Sequence, residues 1–275
     1  MITLKEDFMV KALLSSKEII LKQFLSDVLG IPMEEIRSVR IANPYLRKRY
    51  RRQKQGILDI LLWLNDDSKI NIELQIKAQK DWKKRNLFYL AKMYVEDLQS
   101  GERYGRLSKC ICISILGFNL TDSRICHTIY RLRDMEGNDF SEQWELHTIE
   151  LCKSPEKGSR VFEWVKLFNA ETEGELDMIL AGTKSEGIME AISQMKLLNL
   201  KKRIRYEYEM RLKAKRDRWA EDDYIREEGI VIGKKVEKSS MIKNMLAQDM
   251  PVTQICQIAE CDEAYVEEIR NKIAL

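Results

Sequence analysis

Two acidic side chains in the first third of the chain have the spacing of a shared cation site. Asp59 is the one charge in an apolar run at residues 57–64, and Glu73 belongs to an alternating run that follows turn-forming residues 65–68. If the two runs form a β-hairpin centred near Asp66, Asp59 lies opposite Glu73, with the Cβ atoms about 4.5–5.5 Å apart. Carboxylates this close repel each other unless a cation or a proton separates them.

A hard divalent cation such as Mg²⁺ fits this pair, because it binds a few carboxylate oxygens and keeps several waters. The plainer alternative is that Asp59 is a charge tolerated at a frayed strand edge and that Glu73 is an ordinary solvent-facing residue. For Glu73 alone, that alternative is the default. Asp59 lies among aliphatic residues, where an unpaired carboxylate is costly to bury, so the pair taken together favours a metal site.

A basic run at residues 47–54 comes shortly before Asp59. Six of its positions are cationic: Arg47, Lys48, Arg49, Arg51, Arg52 and Lys54. By itself the run indicates a solvated connector between strands, but beside a carboxylate pair it would hold a phosphate backbone by charge. Arg85 and Tyr89 lie four residues apart on a predicted helix, so they share a face that either contacts phosphate or packs internally.

The composition limits the class of protein. The 275 residues are 44% hydrophobic and 33% charged, with a net charge of +3. A sizeable core can therefore form, and any attraction to nucleic acid must come from local patches of charge. His127 and His147 are the two histidines, which excludes a histidine-rich zinc site.

The cysteines and the N-terminus indicate a cytoplasmic protein. None of the six cysteines belongs to a C-x-x-C pair, and this usage suits a reducing compartment better than a disulfide framework. The N-terminus lacks the layout of a signal peptide, and no apolar run reaches the roughly 18 residues of a membrane span. We therefore expect no membrane association.

The segments around the carboxylate pair predict an α/β core. Apolar residues recur near the helical period at residues 4–29 and 79–100. Runs rich in β-branched residues at 107–118 and 143–151 indicate strands. A hairpin, a helix and a return strand together give mixed strand pairing in one central sheet flanked by helices.

The second half of the chain is predicted to be helical. The helical pattern is clear at residues 161–168 and 185–222, and Gly229 and Gly233 loosen it. Residues 238–275 have the spacing of a helix-turn-helix unit, but acidic residues in its last helix would repel phosphates, which favours packing or a protein contact. The predicted division is an α/β core at 1–155, a helical extension at 156–236 and a small C-terminal unit at 237–275.

The order of Asp59 and then Glu73-Leu74-Gln75 resembles the core of the PD-(D/E)XK (restriction-endonuclease-like) nucleases, and more closely the Rpn family of recombination-promoting nucleases and transposases. The resemblance covers most of the chain. It includes Asp7 and Lys11, Lys54, residues 71–75, Arg85 with Tyr89, the turn at 101–104, residues 228–234 and the closing segment. Gln75 stands where the wider superfamily usually has Lys, although Gln is common there in the Rpn-like subgroup, and Val10 stands where an aromatic residue is more usual.

The resemblance implies a metal-dependent DNA endonuclease that hydrolyses phosphodiester bonds in recombination or transposition. Asp59 and Glu73 would bind Mg²⁺, with Mn²⁺ as a substitute. Asp7 or Glu18, both in the first helical segment, would supply a further acidic ligand. The metal would lower the pKa of a bound water and polarise the scissile phosphate.

The absence of the usual lysine changes the expected chemistry. Gln75 removes a cation that would stabilise developing charge on the phosphorane or orient the water. We expect Gln75 to position the water, or Lys77, two residues along the same strand, to take over. DNA is the expected partner, contacted by the basic run and by Lys11, Arg85 and Tyr89, and a homodimer is the expected assembly.

Three other interpretations stay open. One is a catalytically inactive DNA-binding or assembly protein on the same fold, which Gln75 favours. Another is a transposase with an RNase H-like fold and three acidic residues, against which the close spacing of Asp59 and Glu73 argues. A third is a helical adaptor whose function lies in residues 185–275.

Overall fold

A computed structural model describes residues 1–46, 56–96 and 98–273 of the chain. The strands are β1 (Val39–Ile41), β2 (Tyr45–Leu46), β3 (Gly56–Ile57), β4 (Ile60–Leu64), β5 (Ser68–Gln75), β6 (Lys109–Leu116), β7 (His127–Arg133) and β8 (Asp139–Glu150). Strands β2 and β3 pair with each other, and the others form one six-stranded sheet in the order β1-β4-β5-β6-β8-β7.

The central sheet is mixed, as predicted. Strand β6 runs parallel to β5 and to β8, whereas the other neighbouring strands are antiparallel. The two edge strands are irregular or short: β1 has three residues, and the pairing of β7 with β8 shifts register between Arg131 and Arg133.

The helices follow the order α1 (Asp7–Leu14), α2 (Glu18–Leu29), α3 (Trp82–Val95), α4 (Phe162–Asn169), α5 (Glu173–Gly182), α6 (Glu186–Leu200), α7 (Lys202–Ala247), α8 (Val252–Ala259) and α9 (Glu263–Ile273). Helix α2 ends at Gly30, whose φ of 72° is the left-handed conformation that glycine adopts at low cost. The predicted helical segments at residues 4–29 and 79–100 are therefore confirmed, with narrower bounds for the second.

The β4–β5 hairpin has the register that the sequence predicts. Ile60 pairs with Ile72 and Leu64 with Ser68. Asp59 lies one residue before β4 and Glu73 one residue beyond the last position of β5 that pairs with β4, so the same register brings the two acids to the same end of the hairpin. The turn uses Asn65 and Asp66 at positive φ values of 52° and 60°, which these two residue types tolerate better than most.

Asn65 also fixes the position of the hairpin. Its Oδ1 accepts hydrogen bonds from the N–H groups of Arg37 at 2.8 Å and Ser38 at 3.2 Å, and its Nδ2 donates to the carbonyl of Glu35 at 3.0 Å. Because the segment that bonds to Asn65 leads directly into β1, the turn and the neighbouring edge strand are held together.

Helix α3 connects the parallel strands β5 and β6 and covers one face of the sheet. Its buried residues Trp82, Asn86, Leu90 and Met93 recur every three or four positions, which places them on a single helix face. Asn86 Nδ2 donates to Ser114 Oγ of β6 at 2.7 Å. The covered face is therefore the one to which Ser114 points.

The helices that follow β8 pack with the N-terminal helices. The ring of Phe24 in α2 meets Trp164 of α4 edge to face, with centroids 5.1 Å apart, and Trp164 Nε1 donates to Asp27 at 2.8 Å. At the end of α6, Asn199 Oδ1 accepts the N–H of Ile2 at 2.6 Å. These contacts join both ends of this region into one core.

The structure divides the chain into two compact units, Met1–Arg205 and Tyr206–Leu275. This division differs from the predicted boundaries after residues 155 and 236. The first boundary differs because α4 and α6 belong to the same core as α1 and α2, and the second because α7 is continuous from Lys202 to Ala247.

Within the second unit, α8 and α9 enclose a small core of their own. Ile242, Ile255, Val266 and Ile269 are buried together, which fits the predicted packing role of this segment. The expected loosening of the helical pattern at the two glycines near residue 230 is wrong, since α7 continues through both. One glycine in an exposed helix costs only about 1 kcal/mol relative to Ala, and the good helix formers around them offset that.

We expect Gly117→Ala to destabilise the first unit by about 1–3 kcal/mol through overpacking. Gly117 follows β6 and donates its N–H to the carbonyl of Gln75 at 3.0 Å, and an added Cβ would lie 2.7 Å from the carbonyl oxygen of Ile76. Denaturant unfolding measures the change in the free energy of unfolding. Gly105→Ala is the matched control, because its Cβ would meet nothing within 4 Å; equal midpoints for the two variants would contradict the tight packing at Gly117.

Candidate active site

Asp59 is held at the open end of the β4–β5 hairpin. It lies between the buried residues Leu58 and Ile60 and is itself half-buried. Its Oδ2 accepts the backbone N–H of Leu74 at 3.1 Å. This hydrogen bond crosses from β5, so the strand that carries Glu73 also fixes the Asp59 carboxylate.

Glu73 is buried, with 7% of its surface exposed, and it is paired with a cation from α3. Arg85 Nη2 donates to Glu73 Oε1 and also to Gln75 Oε1, the latter at 2.6 Å. Arg85 Nη1 donates to Gln79 Oε1 at 2.8 Å. The guanidinium therefore bridges the acid of the motif and the glutamine that replaces its usual lysine.

The electrostatics of the site favour additional positive charge. Burial is the largest cause that raises the pKa of Asp59, and the negative charge of Asp7 raises it further, against the Leu74 hydrogen bond. Burial also raises the pKa of Glu73; Arg85 opposes this effect and Asp59 adds to it. Both carboxyl pKa values stay above their ordinary range, so Arg85 only partly compensates the buried negative charge.

The donor set fits a hard divalent ion. Glu73 Oε2 is buried and has no hydrogen-bond partner among the residues that the structure describes. A buried carboxylate oxygen without a partner, next to a second carboxylate, is the kind of ligand that such an ion prefers. Within residues 1–46, 56–96 and 98–273, however, no group of three or more His, Cys, Asp or Glu side chains could hold a metal, so two carboxylates would be supplemented by oxygens other than acidic side chains.

The two acids expected from the first helices differ in position. Asp7 and Lys11 lie exposed on α1, and the charges of both act on Asp59. Glu18 is the first residue of α2, and its side chain is 62% exposed in an ion pair with Lys22 at 2.9 Å. Of these two acids, Asp7 is therefore the one whose charge acts on Asp59; a ligand role for either one stays a prediction.

Two further predicted site residues lie outside the carboxylate pair. Strand β5 ends at Gln75, and Gln75 Nε2 donates to the carbonyl of Lys77 at 2.7 Å. Lys77 therefore lies in the segment after the strand, where it is exposed. This corrects the predicted position of Lys77 on the strand. Tyr89 is partly buried against the cluster of Leu58, Leu90 and neighbouring residues, which favours packing over phosphate contact.

The predicted DNA-contacting residues Arg47, Lys48, Arg49, Arg51, Arg52 and Lys54 lie outside the described residues. Their role, like that of the homodimer, stays a prediction.

The parallel pairing adds polar residues that the sequence did not single out. Ser114 of β6 pairs with Glu73, and Thr148 of β8 pairs with Ser114, so the three side chains point to the same face and form a row across the sheet. No local motif marks Ser114 or Thr148. The signal that brings them to the site is the register of strands that are far apart in the sequence.

The two histidines belong to the opposite face. His147 follows Leu146 and precedes Thr148 on β8, and its Nδ1 lies 3.1 Å from His127 Nε2. Burial and the charge of His147 lower the pKa of His127 to about 4, so the His127 imidazole is uncharged at neutral pH. Because residues alternate between faces along a strand, this pair is separated by the sheet from Glu73.

A mixed α/β sheet with two acids at the open end of a hairpin, and a helix that crosses the adjacent parallel strands, defines a nuclease-like core. Residues 4–224 match the family described as PD-(D/E)XK nuclease family transposase. Because this match covers most of the chain, the protein belongs to that family, which confirms the resemblance and the fold class. No curated protein and no solved structure matches the chain.

No helix in the described ranges is both long enough and apolar enough to cross a membrane.

We expect Asp59→Asn to stabilise the metal-free protein at pH 7. Asparagine keeps an oxygen for the Leu74 N–H but removes the buried charge. The pKa of Asp59 is raised above its ordinary value of 3.8, so the native state binds the proton more tightly than the unfolded chain, and stability falls as the pH rises through that range. The advantage of the variant should therefore fade on acidification and vanish below pH 3.8. Urea unfolding in the presence of a chelator, at a series of pH values, measures the difference in the free energy of unfolding between the variant and the wild type.

Glu18→Gln is the control for this measurement, because Glu18 is an exposed acid of α2. A stability gain for Asp59→Asn that is absent at pH 7, or that grows as the pH falls, would contradict the buried charge at Asp59.

Proposed function

We propose that this protein is a metal-dependent DNA endonuclease that acts in recombination or transposition. The observation that carries the proposal is that Asp59 lies beside Glu73, because Asp59 bonds the N–H of Leu74 and its charge acts on Glu73, while a buried carboxylate oxygen of Glu73 has no hydrogen-bond partner in the described chain. The membership of a nuclease and transposase family supports it.

Asp59 and Glu73 would hold the metal, for which Mg²⁺ is the proposed ion and Mn²⁺ the substitute. A bound divalent ion would supply an acidic water and polarise the scissile phosphate. The protein contributes the fixed positions of the two carboxylates, because the Leu74 N–H holds one and Arg85 holds the other. Preorganised groups of this kind cost no rearrangement at the moment of reaction.

Arg85 is proposed to supply the positive charge that the superfamily obtains from lysine. Its Nη2 contacts Gln75 Oε1 at 2.6 Å, so a cation lies against the side chain that replaces the lysine. Gln75 would then orient the guanidinium, and through it the phosphate, rather than stabilise charge directly. Arg is suited to this role because its planar group binds two oxygens at once and stays protonated.

The basic run at residues 47–54 and Lys11 are proposed to hold the DNA backbone by charge. A homodimer would place one site on each strand and would so serve double-strand cleavage. A cytoplasmic location is proposed from the six free cysteines, which suit a reducing compartment.

Nicking of supercoiled plasmid in Mg²⁺ tests the site. We expect Asp59→Asn and Glu73→Gln each to reduce the nicking rate by about 100-fold or more, since removal of one preorganised electrostatic group typically has that effect. Glu18→Gln, an exposed acid of α2, serves as the matched control and should retain activity. Wild-type rates in both site variants would refute the proposed site.

A charge exchange tests the role of Arg85. We expect Arg85→Gln to lower the nicking rate by about tenfold or more, because Glu73 loses its cation. Gln75→Lys alone places a second cation beside Arg85 and should also impair activity. The double variant Gln75→Lys/Arg85→Gln again has one cation in this place and should recover most of the lost nicking rate. Such a non-additive result is expected of two residues in contact.

Lys77→Ala is the control for the exchange, since Lys77 is exposed beyond the strand. Loss of activity in Lys77→Ala together with an additive double variant would assign the cation to Lys77 instead.

A catalytically inactive DNA-binding or assembly protein on the same fold is the second candidate. The ion pair between Arg85 and Glu73 favours it, because Glu73 is already partly neutralised within the protein. Isothermal titration separates the two candidates: Mg²⁺ binding that disappears in Asp59→Asn supports the nuclease, and DNA binding without Mg²⁺ affinity supports the inactive protein.

A further inference from the structure

A cavity of about 210 Å³ lies between α3 and the face of the sheet that carries Glu73. Its lining includes Trp82, Asn86 and Leu87 of α3, Tyr130 of β7, and Leu146 and Thr148 of β8. The walls are mainly apolar and aromatic. The cavity is smaller than the about 300–1,000 Å³ of sites for drug-sized ligands, so its size suits a single ring system.

The cavity lies close to the candidate active site. Glu73, Ser114 and Thr148 are neighbours in one row across three strands, and Ser114 and Thr148 both line the cavity. Adjacent strands are about 4.8 Å apart, which places Thr148 about 10 Å from Glu73 along the row. Helix α3 contributes to both places, with Arg85 at the carboxylates and Asn86 at the cavity.

Three buried polar atoms among the lining residues have no hydrogen-bond partner in the described chain: Trp82 Nε1, Asn86 Oδ1 and Thr148 Oγ1. Their residues are 5%, 4% and 4% exposed. The indole N–H only donates, the amide oxygen only accepts, and the hydroxyl does both. Each of these atoms has almost no accessible surface, so their side chains would have to turn toward the cavity before a ligand with donors and acceptors on one flat edge satisfied them.

We propose that this cavity takes one unstacked base of the DNA strand bound at the carboxylates. The proposal rests on the proposed function for the identity of the strand. A nucleobase offers a flat apolar face to the aromatic and aliphatic walls, which include Trp82 and Tyr130, and its polar edge could meet the three atoms above once their side chains turn toward it. Lys83, exposed on the same helix and part of the lining, is available to a phosphate beside that base.

Photo-crosslinking of DNA that carries 5-iodouracil tests the base site in the full-length Asp59→Asn protein, which cannot cleave the probe. We expect crosslinks that map by mass spectrometry to Trp82 or Tyr130, the aromatic residues of the lining. Thr148→Leu in that background fills the floor of the cavity and should lower these crosslinks about tenfold, because the base then no longer fits beside the aromatic residues of the lining. DNA affinity measured by anisotropy should change less, because phosphate contacts dominate it.

Thr128→Leu is the matched control, because Thr128 pairs with Thr148 on the neighbouring strand β7 but is outside the lining. It should leave the crosslinks unchanged. Leu87→Phe narrows the mouth from a position that is 49% exposed, so it tests the same point if Thr148→Leu does not fold. Crosslinks that never involve Trp82 or Tyr130, or equal yields in all the variants, would overturn the base site.

A free nucleotide is the other source of the same ring chemistry. If deoxynucleoside monophosphates raise the melting temperature of the wild type but not of Thr148→Leu, and DNA gives no crosslink at the lining, the cavity binds free nucleotides and the proposal is wrong.

Plasmid nicking by the wild type separates the two proposals. Asp59-dependent nicking without crosslinks at the cavity refutes the base site alone. Crosslinks at Trp82 or Tyr130 without any nicking refute the nuclease and support the cavity as a site for a base in bound DNA.

Discussion

The buried carboxylate of Glu73 is the constraint on which the arrangement of the site depends. An acidic side chain in the interior of a sheet is tolerated only with compensating charge or hydrogen bonds. Arg85 provides part of that compensation from α3. For Arg85 to reach Glu73, α3 must cross the parallel strands in one particular position. The contacts that follow, from Asn86 to Ser114 and from Arg85 to Gln75, are consequences of that crossing.

Stability and function oppose each other in this region. Both carboxyl groups have pKa values raised by burial, so each ionised form is less stable in the folded protein than in water. A cation bound here would remove part of this existing penalty. The rest of the first unit offsets the destabilisation by these two carboxylates through apolar contacts, such as those of Phe24 with Trp164 and Phe168.

The hairpin could be predicted from the sequence because its signals are local. Turn-forming residues and strict alternation define one register, and Asp59 and Glu73 follow from it. The link between Arg85 and Gln75 could not be predicted, since it depends on where α3 lies over the sheet. The row through Ser114 and Thr148 depends on parallel pairing between distant segments. Strand β7 gave no signal because its residues are mostly exposed and carry no buried alternation.

The two ends of the central sheet have a consequence for self-association. An open strand edge invites pairing with another chain, and proteins limit this with short or bulged edge strands. Strand β1 has three residues, with Arg40 over the ring of Trp63, and the irregular pairing between Arg131 and Arg133 interrupts β7. Among the residues that the structure describes, neither border of the six-stranded sheet offers a long regular ladder, so strand addition at this sheet and the fibrous aggregation that it initiates are disfavoured.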